Sequence, residues 1–484
     1  DLAGTAVRIE LGEQHSCALL TDGAMKCWGL NDQGQLGMGD NRRRGEESNN
    51  EMGAYLPAVD LDKTALMIMG GGTYTCALLE GGLIKCWGYN GWGQLGYGDT
   101  RQRGDTGSNE MGVYLPAVDL NATALAIECG PFYTCALLEG GLVKCWGQNN
   151  YGQLGYGDTR QRGDGAGEMG AYLPAVDIGG AAVAVVAGEN HVIELGEQHS
   201  CALLTDGAMK CWGLNDQGQL GMGDNRRRGE ESNNEMGAYL PACVLLADMT
   251  VKCWGNNDQG QLGYNDNRKR GDGGGEMGAY LPALDLDKKA LMVTGGEHFS
   301  CALLEGGLVK CWGHNGYGQL GLGDTRQRGD TANEMGAFLP VLALDGTAVA
   351  ISGGMDHFCA LVAEGGGVLK CWGYNGYGEL GQGDNRQRGD GVGEMGAFLP
   401  AIKFGGASGL VAGCTPAFCA PGYIPIGGGG CVPCGPGTFK NVSGEGVCLP
   451  CPVGRYTKST GSGLSPSLPL LVVSSTVGST AHWR

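Results

Sequence analysis

Cys76-Ala-Leu-Leu-Glu80-Gly81-Gly82-Leu-Ile-Lys-Cys86-Trp87-Gly88 is the stretch that decides the fold. Two short apolar runs flank a three-residue turn that ends in Gly. Glycine takes the left-handed position of such a turn at no steric cost, so the pattern predicts a β-hairpin. If Leu79 pairs with Leu83, Cys76 falls opposite Cys86. Facing residues in an antiparallel pair lie about 4.5–5.5 Å apart at Cα, within reach of a disulfide. The phrase returns along the chain and predicts the pairs Cys17/Cys27, Cys76/Cys86, Cys135/Cys145, Cys201/Cys211, Cys243/Cys253 and Cys301/Cys311. Cys359/Cys371 is the same phrase lengthened by two residues.

Each copy continues in a fixed order. Asn90, Gly93-Gln94-Leu95-Gly96 and Gly98-Asp99 follow Trp87-Gly88, then Arg101-Gln102-Arg103-Gly104-Asp105, Glu110-Met111-Gly112 and Tyr114-Leu115-Pro116-Ala117-Val118. An apolar strand such as Ala124-Leu125-Ala126-Ile127 leads into the next cysteine. Units of short strands and glycine turns at this period predict a propeller or a related closed array, in which only a neighbour covers each apolar face. The 95 glycines fall at turn positions and not every third residue, which excludes collagen.

Gly-Gln-Leu-Gly after Cys-Trp-Gly-x-Asn resembles the regulator-of-chromosome-condensation repeat family, whose members are usually seven-bladed propellers. The resemblance covers residues 1–412. It implies an all-β, seven-bladed RCC-type β-propeller, written in the sequence as six regular units plus one out-of-phase duplicate. The Glu-Met-Gly…Leu-Pro-Ala-Val-Asp segment is most similar to secreted or surface members. The fold carries exchange factors, photoreceptors, inhibitors and adhesion modules, so it does not by itself specify function.

The duplicate is residues 193–242, identical to residues 9–58. It shifts the Trp-to-Trp spacings to 59, 59, 66, 42, 58 and 60. One reading is a recent duplication, or a gene-model error, in an ancestor with six regular units. The other is a seventh blade with a damaged seam. The unit around Cys243 then lacks its usual first strand, and its turn, Ala247-Asp248-Met249, lacks the glycine of the other copies.

Fourteen of the 21 cysteines sit in hairpin pairs, six cluster near the C-terminus, and Cys129 is left over. So many facing pairs predict an oxidising, extracellular or cell-surface compartment. The sequons at Asn121 and Asn441 are compatible with glycosylation there. No signal sequence is visible, because the chain starts within a repeat; we read it as a mature product or a fragment. No apolar run approaches the roughly 20 residues of a membrane helix. The net charge of −18 disfavours nucleic acid and anionic membranes as partners. The basic runs at 42–44, 226–228 and 268–270 are followed by acidic residues and read as solvated loops.

The chain changes character at Cys414. Cys419-Ala-Pro-Gly422-Tyr423, Cys434-Gly-Pro-Gly437-Thr-Phe439 and Cys451-Pro-Val-Gly454-Arg-Tyr456 share one form, punctuated by Cys431-x-x-Cys434 and Cys448-x-x-Cys451. Residues 413–461 resemble the cysteine-rich modules of ephrin-receptor-like and tumour-necrosis-factor-receptor-like ectodomains. So short a segment needs disulfides among Cys414, Cys419, Cys431, Cys434, Cys448 and Cys451, and the sequence does not choose their pairing. A four-cysteine zinc ribbon is the rival, weakened by the oxidised cysteines upstream. The tail, 462–484, is rich in Ser, Gly and Pro and reads as disordered.

The Asp-x-Arg-x-Arg-Gly-Asp…Glu series (Asp99, Arg101, Arg103, Asp105, Glu110; Asp324, Arg326, Arg328, Asp330, Glu334) either rings a ligand site or ties each loop to its neighbour. Repetition in every unit favours the structural role. Arg-Gly-Asp starts at Arg103, Arg162, Arg270, Arg328 and Arg388, but Arg44-Gly-Glu46 and Arg228-Gly-Glu230 occupy two equivalent loops, against an adhesion tripeptide. Calcium at these acidic positions is disfavoured by the adjacent arginines. Trp28, Trp87, Trp146, Trp212, Trp254, Trp312 and Trp372 read as packing against the hairpin disulfides; the photoreceptor motif Gly-Trp-Arg-His-Thr is absent. Histidines before the first cysteine (His15, His199, His298) give way to Tyr74 and Tyr133 elsewhere, which suits packing better than catalysis.

No constellation of nucleophile, base and acid stands apart from the repeat, so we expect no enzyme, cofactor or metal site. The leading expectation is a non-catalytic extracellular propeller with a cysteine-rich stalk. It would bind an unknown protein or glycan, without inserting in a membrane, as part of a larger extracellular protein or assembly. The alternatives are an intracellular guanine-nucleotide exchange factor or chromatin-binding propeller, and an enzyme or enzyme inhibitor using the central face.

Overall fold

Each hairpin phrase forms two antiparallel strands, and six of the seven recruit the apolar run before them as a third. The computed structural model describes residues 6–46, 51–53, 55–187, 198–205, 209–216, 220, 222, 224–228, 242–246, 248–363 and 368–402, and four short strands beyond 422. The sheets, in chain order, are as follows. Sheet 1 is Ala6–Leu11, His15–Leu20 and Met25–Gly29; sheet 2 is Ala65–Gly70, Tyr74–Leu79 and Leu83–Gly88. Sheet 3 is Ala124–Cys129, Tyr133–Leu138 and Leu142–Gly147; sheet 4 is Ala182–Ala187, His199–Leu204 and Met209–Gly213. Sheet 5 has only Ala242–Leu245 and Val251–Trp254. Sheet 6 is Ala290–Gly295, Phe299–Leu304 and Leu308–Gly313, and sheet 7 is Ala348–Gly353, His357–Val362 and Val368–Gly373. The chain divides into two compact units, the first holding residues 1–204 and 209–406, the second 407–474.

The register is the one the turn dictates. Leu79 faces Leu83 and Cys76 faces Cys86. All seven hairpin pairs are bonded, with Cα atoms 4.0–4.1 Å apart. The middle strand of sheet 2 is buried at every position because neighbouring sheets cover both its faces. Each core cluster therefore spans two sheets. Cys76, Cys86 and Leu95 pack with Ile127 and Trp146 of the next sheet. Ile9, Leu11 and Trp28 pack with Cys359, Cys371 and Leu380, so the last sheet meets the first and the array closes.

The duplicate resolves as strand capture. Ala182–Ala187 pairs with the duplicate's His199–Leu204, and the hairpin of Cys243 and Cys253 is left with two strands. Met249 takes the place of Gly82. Its carbonyl accepts from Ala290 N at 2.9 Å as Gly82 O accepts from Ala124 N at 3.0 Å, and its φ is 64° against 71°. A side chain in the left-handed region costs about 1–2 kcal/mol. Met249→Gly should raise stability by about 0.5–1 kcal/mol, because the freer unfolded chain offsets part of the relief. A denaturant midpoint that stays put or falls would contradict this. Amide exchange should also be faster in sheet 5 than in the other six, since no third strand pairs with Ala242–Leu245 among the described residues. Equal protection in all seven would refute it.

Cys201 faces Cys211 across the hairpin and the two are bonded, with Cα atoms 4.0 Å apart, as the repeated phrase predicts. Both are buried. The displaced strand changes only what covers them. Cys76 and Cys86 are covered by Ile127 from the first strand of the next sheet, but sheet 5 has no such strand among the described residues to lay over sheet 4. Cys201 and Cys211 share a small buried cluster with Trp254 and Leu281 instead.

Candidate binding face and blade seams

One device recurs at the seams between sheets. The Trp87 indole Nε1 donates to Gln35 O of the preceding sheet at 3.0 Å, and Thr75 Oγ1 donates to the same carbonyl at 2.8 Å. Trp146 and Thr134 both meet Gln94 O at 2.9 Å, and Trp212 and Ser200 both meet Gln153 O at 2.9 Å. Trp312 with Ser300 on Gln261 O, and Trp28 with Ser16 on Glu379 O, repeat the pattern. Trp87 clusters with Cys17 and Cys27, Trp254 with Cys201 and Cys211, and Trp372 with Cys301 and Cys311. Each of these Trp residues packs on a hairpin disulfide, and the disulfide is that of the preceding sheet. The reason is geometric: Trp lies on the outer strand of its hairpin and faces back towards the preceding sheet.

At three seams the ring at the head of a middle strand adds to this contact. A Thr or Ser hydroxyl has one hydrogen, already given to the carbonyl, so it accepts from the ring. His15 Nε2 therefore donates to Thr75 Oγ1 at 2.9 Å, and Tyr74 OH lies among three acceptors, Thr134 Oγ1 at 3.0 Å, Gly130 O at 2.9 Å and Tyr133 O. His357 Nε2 donates to Ser16 Oγ at 3.1 Å across the closing seam. Burial holds the His15 imidazole down at about 4 and the His357 imidazole at about 3, so both are neutral at ordinary pH. Where sheet 7 carries Phe358 in place of the hydroxyl, sheet 6 offers Phe299, and the two rings meet edge to face at 5.9 Å. The expected grouping of His298 with His15 and His199 is off by one residue: Phe299 holds that place.

The arginine loops are tied internally. Arg103 pairs with Asp99 at 2.8 Å and lies over the Tyr97 ring at 4.2 Å; Arg101 pairs with Glu110 at 2.6 Å. The second Glu110 oxygen accepts from Gly104 N at 3.0 Å, which closes the loop. Arg326, Arg328, Asp324 and Glu334 repeat these pairs, and Thr331 N joins them on Glu334. Contact with the neighbouring loop is made by other groups: Gly39 N donates to Gly104 O at 3.0 Å, Gln102 Nε2 donates to Gln33 Oε1, and Asn265 Oδ1 accepts from Glu334 N at 3.0 Å. The neighbours are tied, but not by the arginine–carboxylate pairs. Arg103 of the first Arg-Gly-Asp is engaged and its side chain is 13% exposed, which leaves the tripeptide poorly presented to a receptor.

Three of the positions that vary from copy to copy lie together at one end of the sheets. A backbone hydrogen bond joins the first two: Tyr89 N to Thr73 O, Gln148 N to Phe132 O, His314 N to His298 O and Tyr374 N to Asp356 O. The third follows three residues on, as Trp92, Tyr151, Tyr317 or Tyr377, while Asn90, Asn149, Asn315 and Asn375 between them stay the same. Sheets 6 and 7 fill these positions with a row of rings. His298 and His314 stand 6.4 Å apart, His314 and Tyr317 6.1 Å, Tyr317 and Tyr374 5.2 Å, and Tyr374 and Tyr377 6.1 Å. The Arg43 guanidinium of sheet 1's loop covers Tyr377 at 4.6 Å.

Carboxyl groups line the same row. Asp356 accepts from Gln319 Nε2 at 3.0 Å, and burial beside Glu297 raises it to about 6. Glu379 stands where the other copies have Gln35, Gln94, Gln153, Gln219, Gln261 and Gln319. It is fully buried; Oε2 accepts from Tyr377 N at 2.8 Å, and Oε1 has no hydrogen-bond partner among the described residues. Burial raises it to about 7. Sequence reasoning passed over Glu379, although its single departure from Gly-Gln-Leu-Gly was the available signal.

Cys129 is buried and unbonded, its thiol pushed up by burial. Asn121 is exposed in a turn with φ 53°. Cys414, Cys419, Cys434, Cys448, Cys451 and Asn441 lie outside the described residues, and of Cys431 only the backbone strand Gly430–Pro433 is described. Among the described residues no group of His, Cys, Asp and Glu has metal-holding geometry, and no helix is long and apolar enough to cross a membrane.

The regulator of chromosome condensation (RCC1) repeat profile matches residues 6–35, 125–153, 182–219 and 293–319, and a second RCC1 repeat profile matches 307–361. Residues 422–464 match the profile described as tyrosine-protein kinase ephrin type A/B receptor-like. The chain is an RCC1-type repeat propeller followed in sequence by an ephrin-receptor-like cysteine-rich module. It is 27% identical over 382 residues to the ultraviolet-B receptor UVR8 of Arabidopsis thaliana, which covers 78% of this chain and 67% of that protein. It is 30% identical over 218 residues to the E3 ubiquitin-protein ligase HERC2 of Homo sapiens, 44% of this chain but only 4% of the ligase. Among solved structures, the ectodomain of the Physcomitrella patens receptor kinase CR4 aligns with a TM-score of 0.43 at 18% identity, over 76% of this chain and 74% of that one. Yeast RCC1 (Prp20), solved with Kap60, aligns with a TM-score of 0.42 at 17% identity, over 82% and 75%.

Proposed function

We propose that this chain is a non-catalytic binding propeller that works outside the cell or at its surface. The observation that carries this reading is the set of seven bonded, buried hairpin cysteine pairs, one in every sheet. Pairs at this density form and persist in oxidising compartments. Asn121, exposed in its turn, suits a glycan there. The reading also takes residues 413–461 as a disulfide-held stalk and 1–412 as the binding domain. Its partner is a protein or glycan met by the face whose residues vary from copy to copy.

Intact mass after alkylation in denaturant, without reduction, tests the compartment. The hairpin cysteines should stay unmodified, and the mass should carry the residue 193–242 duplicate and a glycan removable by Asn121→Gln. Alkylation of all 21 thiols would sink the extracellular reading and favour an intracellular propeller.

A further inference from the structure

We propose that the end of sheets 6, 7 and 1 is a docking site for a lysine- or arginine-bearing segment of a partner protein. This rests on the reading of the chain as a binding propeller and names the chemistry of its partner.

Three observations converge there. First, this end carries positions that differ from copy to copy, such as Tyr89, Gln148, His314 and Tyr374, while the Trp of the seam beside it is the same in every copy. A position free of scaffold duty that differs in each copy is where a repeat protein writes recognition. Second, the described rings at sheets 6 and 7 form a continuous row, and Tyr317 is 36% exposed. Arg43 over Tyr377 shows how a guanidinium is received on this row.

Third, the row runs beside carboxyls that have no Lys or Arg partner among the described residues. Sheet 6 contributes Glu297, with His298 and His314; sheet 7 contributes Asp356 and Glu379. Sheet 1's loop contributes Arg43, Glu46 and Asp32, and Arg43 is already held by Asp32 at 2.9 Å and Glu46 at 3.4 Å. His314 is pushed down by burial and by His298, so it brings no charge at neutral pH. The buried Glu379 Oε1 has no hydrogen-bond partner among the described residues, and only this copy has a carboxyl at that position. An arriving ammonium or guanidinium meets Glu297 and Asp356, whose side chains are 28% and 24% exposed, while the buried Glu379 acts on it through its charge from beneath. The net charge of −18 adds long-range attraction for such a segment.

The probe is a fluorescein-labelled hexa-arginine peptide, titrated by anisotropy against the full chain. Asp356→Asn combined with Glu379→Gln should weaken binding about tenfold, the effect of losing a charge-assisted pair. Glu379→Gln installs the residue of the other copies, so the variant should melt like the parent. Asp22→Asn with Glu80→Gln removes equal charge from exposed hairpin turns and should leave affinity within about twofold. Tyr374→Ala should weaken binding about three- to tenfold through the lost ring face. Acidification from about pH 7.5 to 5.5 should weaken the parent and spare the double variant, because Asp356 and Glu379 take up protons in that window. Equal losses in the two charge-matched variants, or no saturable peptide binding, would overturn the proposal. So would a face that takes up neutral glycans and ignores the peptide. The alkylation result above is independent of all these outcomes, so the compartment reading and this one fail separately.

Discussion

Once its disulfides are reduced in denaturant, the chain should fail to regain its fold on dilution, whereas the oxidised chain should refold. Each bond closes a loop of about ten residues and contributes roughly 2–3 kcal/mol in the chain-entropy model. Seven together contribute roughly 15–20 kcal/mol, against a typical net stability of about 5–15 kcal/mol. Reductant alone should act slowly on the native protein, because every hairpin cysteine is at most 3% exposed, Cys211 being the one that reaches that figure. Reduction must therefore follow opening of a seam, and its rate should report that opening. Circular dichroism after dilution with and without reductant reads the outcome. A reduced chain that regains the oxidised spectrum and melting temperature would show that the seams alone carry the fold.

What the sequence made legible was local. The Leu79/Leu83 register, the glycine turn and the facing cysteines all follow from a dozen consecutive residues, because hairpin geometry is fixed by turn length. The displaced strand at the Cys243 hairpin was legible in the Trp-to-Trp spacings, 66 residues from Trp146 to Trp212 and 42 from Trp212 to Trp254.

The relations between units were harder to read. Trp146 reads as a neighbour of Cys145, yet it packs on Cys76 and Cys86 of the preceding sheet. Arg103 reads as a bridge between loops, yet it folds back four residues to Asp99. In both cases sequence proximity gives no information about which side of a sheet faces which neighbour. The pairing of Phe299 with Phe358 was open to reading only with the seam in view. Without it, a Phe in place of a hydroxyl looks like drift. Glu379 was missed for the opposite reason, since one changed letter in a seven-fold motif looks trivial until its carboxyl is found buried.

The seam itself predicts the largest single-residue effect in the propeller. Trp146→Ala should cost about 3–5 kcal/mol, the cost of deleting a fully buried aromatic and leaving a cavity. Trp146→Phe keeps the apolar mass and removes the donor to Gln94 O. That carbonyl still accepts from Thr134 Oγ1 at 2.9 Å, so the cost should be only about 1–2 kcal/mol. Thr134→Val should cost a similar amount, since it removes the hydroxyl's bond to Gln94 O while Tyr74 OH keeps Gly130 O and Tyr133 O as acceptors. The double variant Trp146→Phe with Thr134→Val leaves Gln94 O buried without either donor. Its cost should exceed the sum of the single changes by about 1 kcal/mol or more, the penalty of an unsatisfied carbonyl. Denaturant unfolding of the four proteins measures this coupling. Strict additivity would mean that indole and hydroxyl act separately on Gln94 O, and that the seam is held by packing alone.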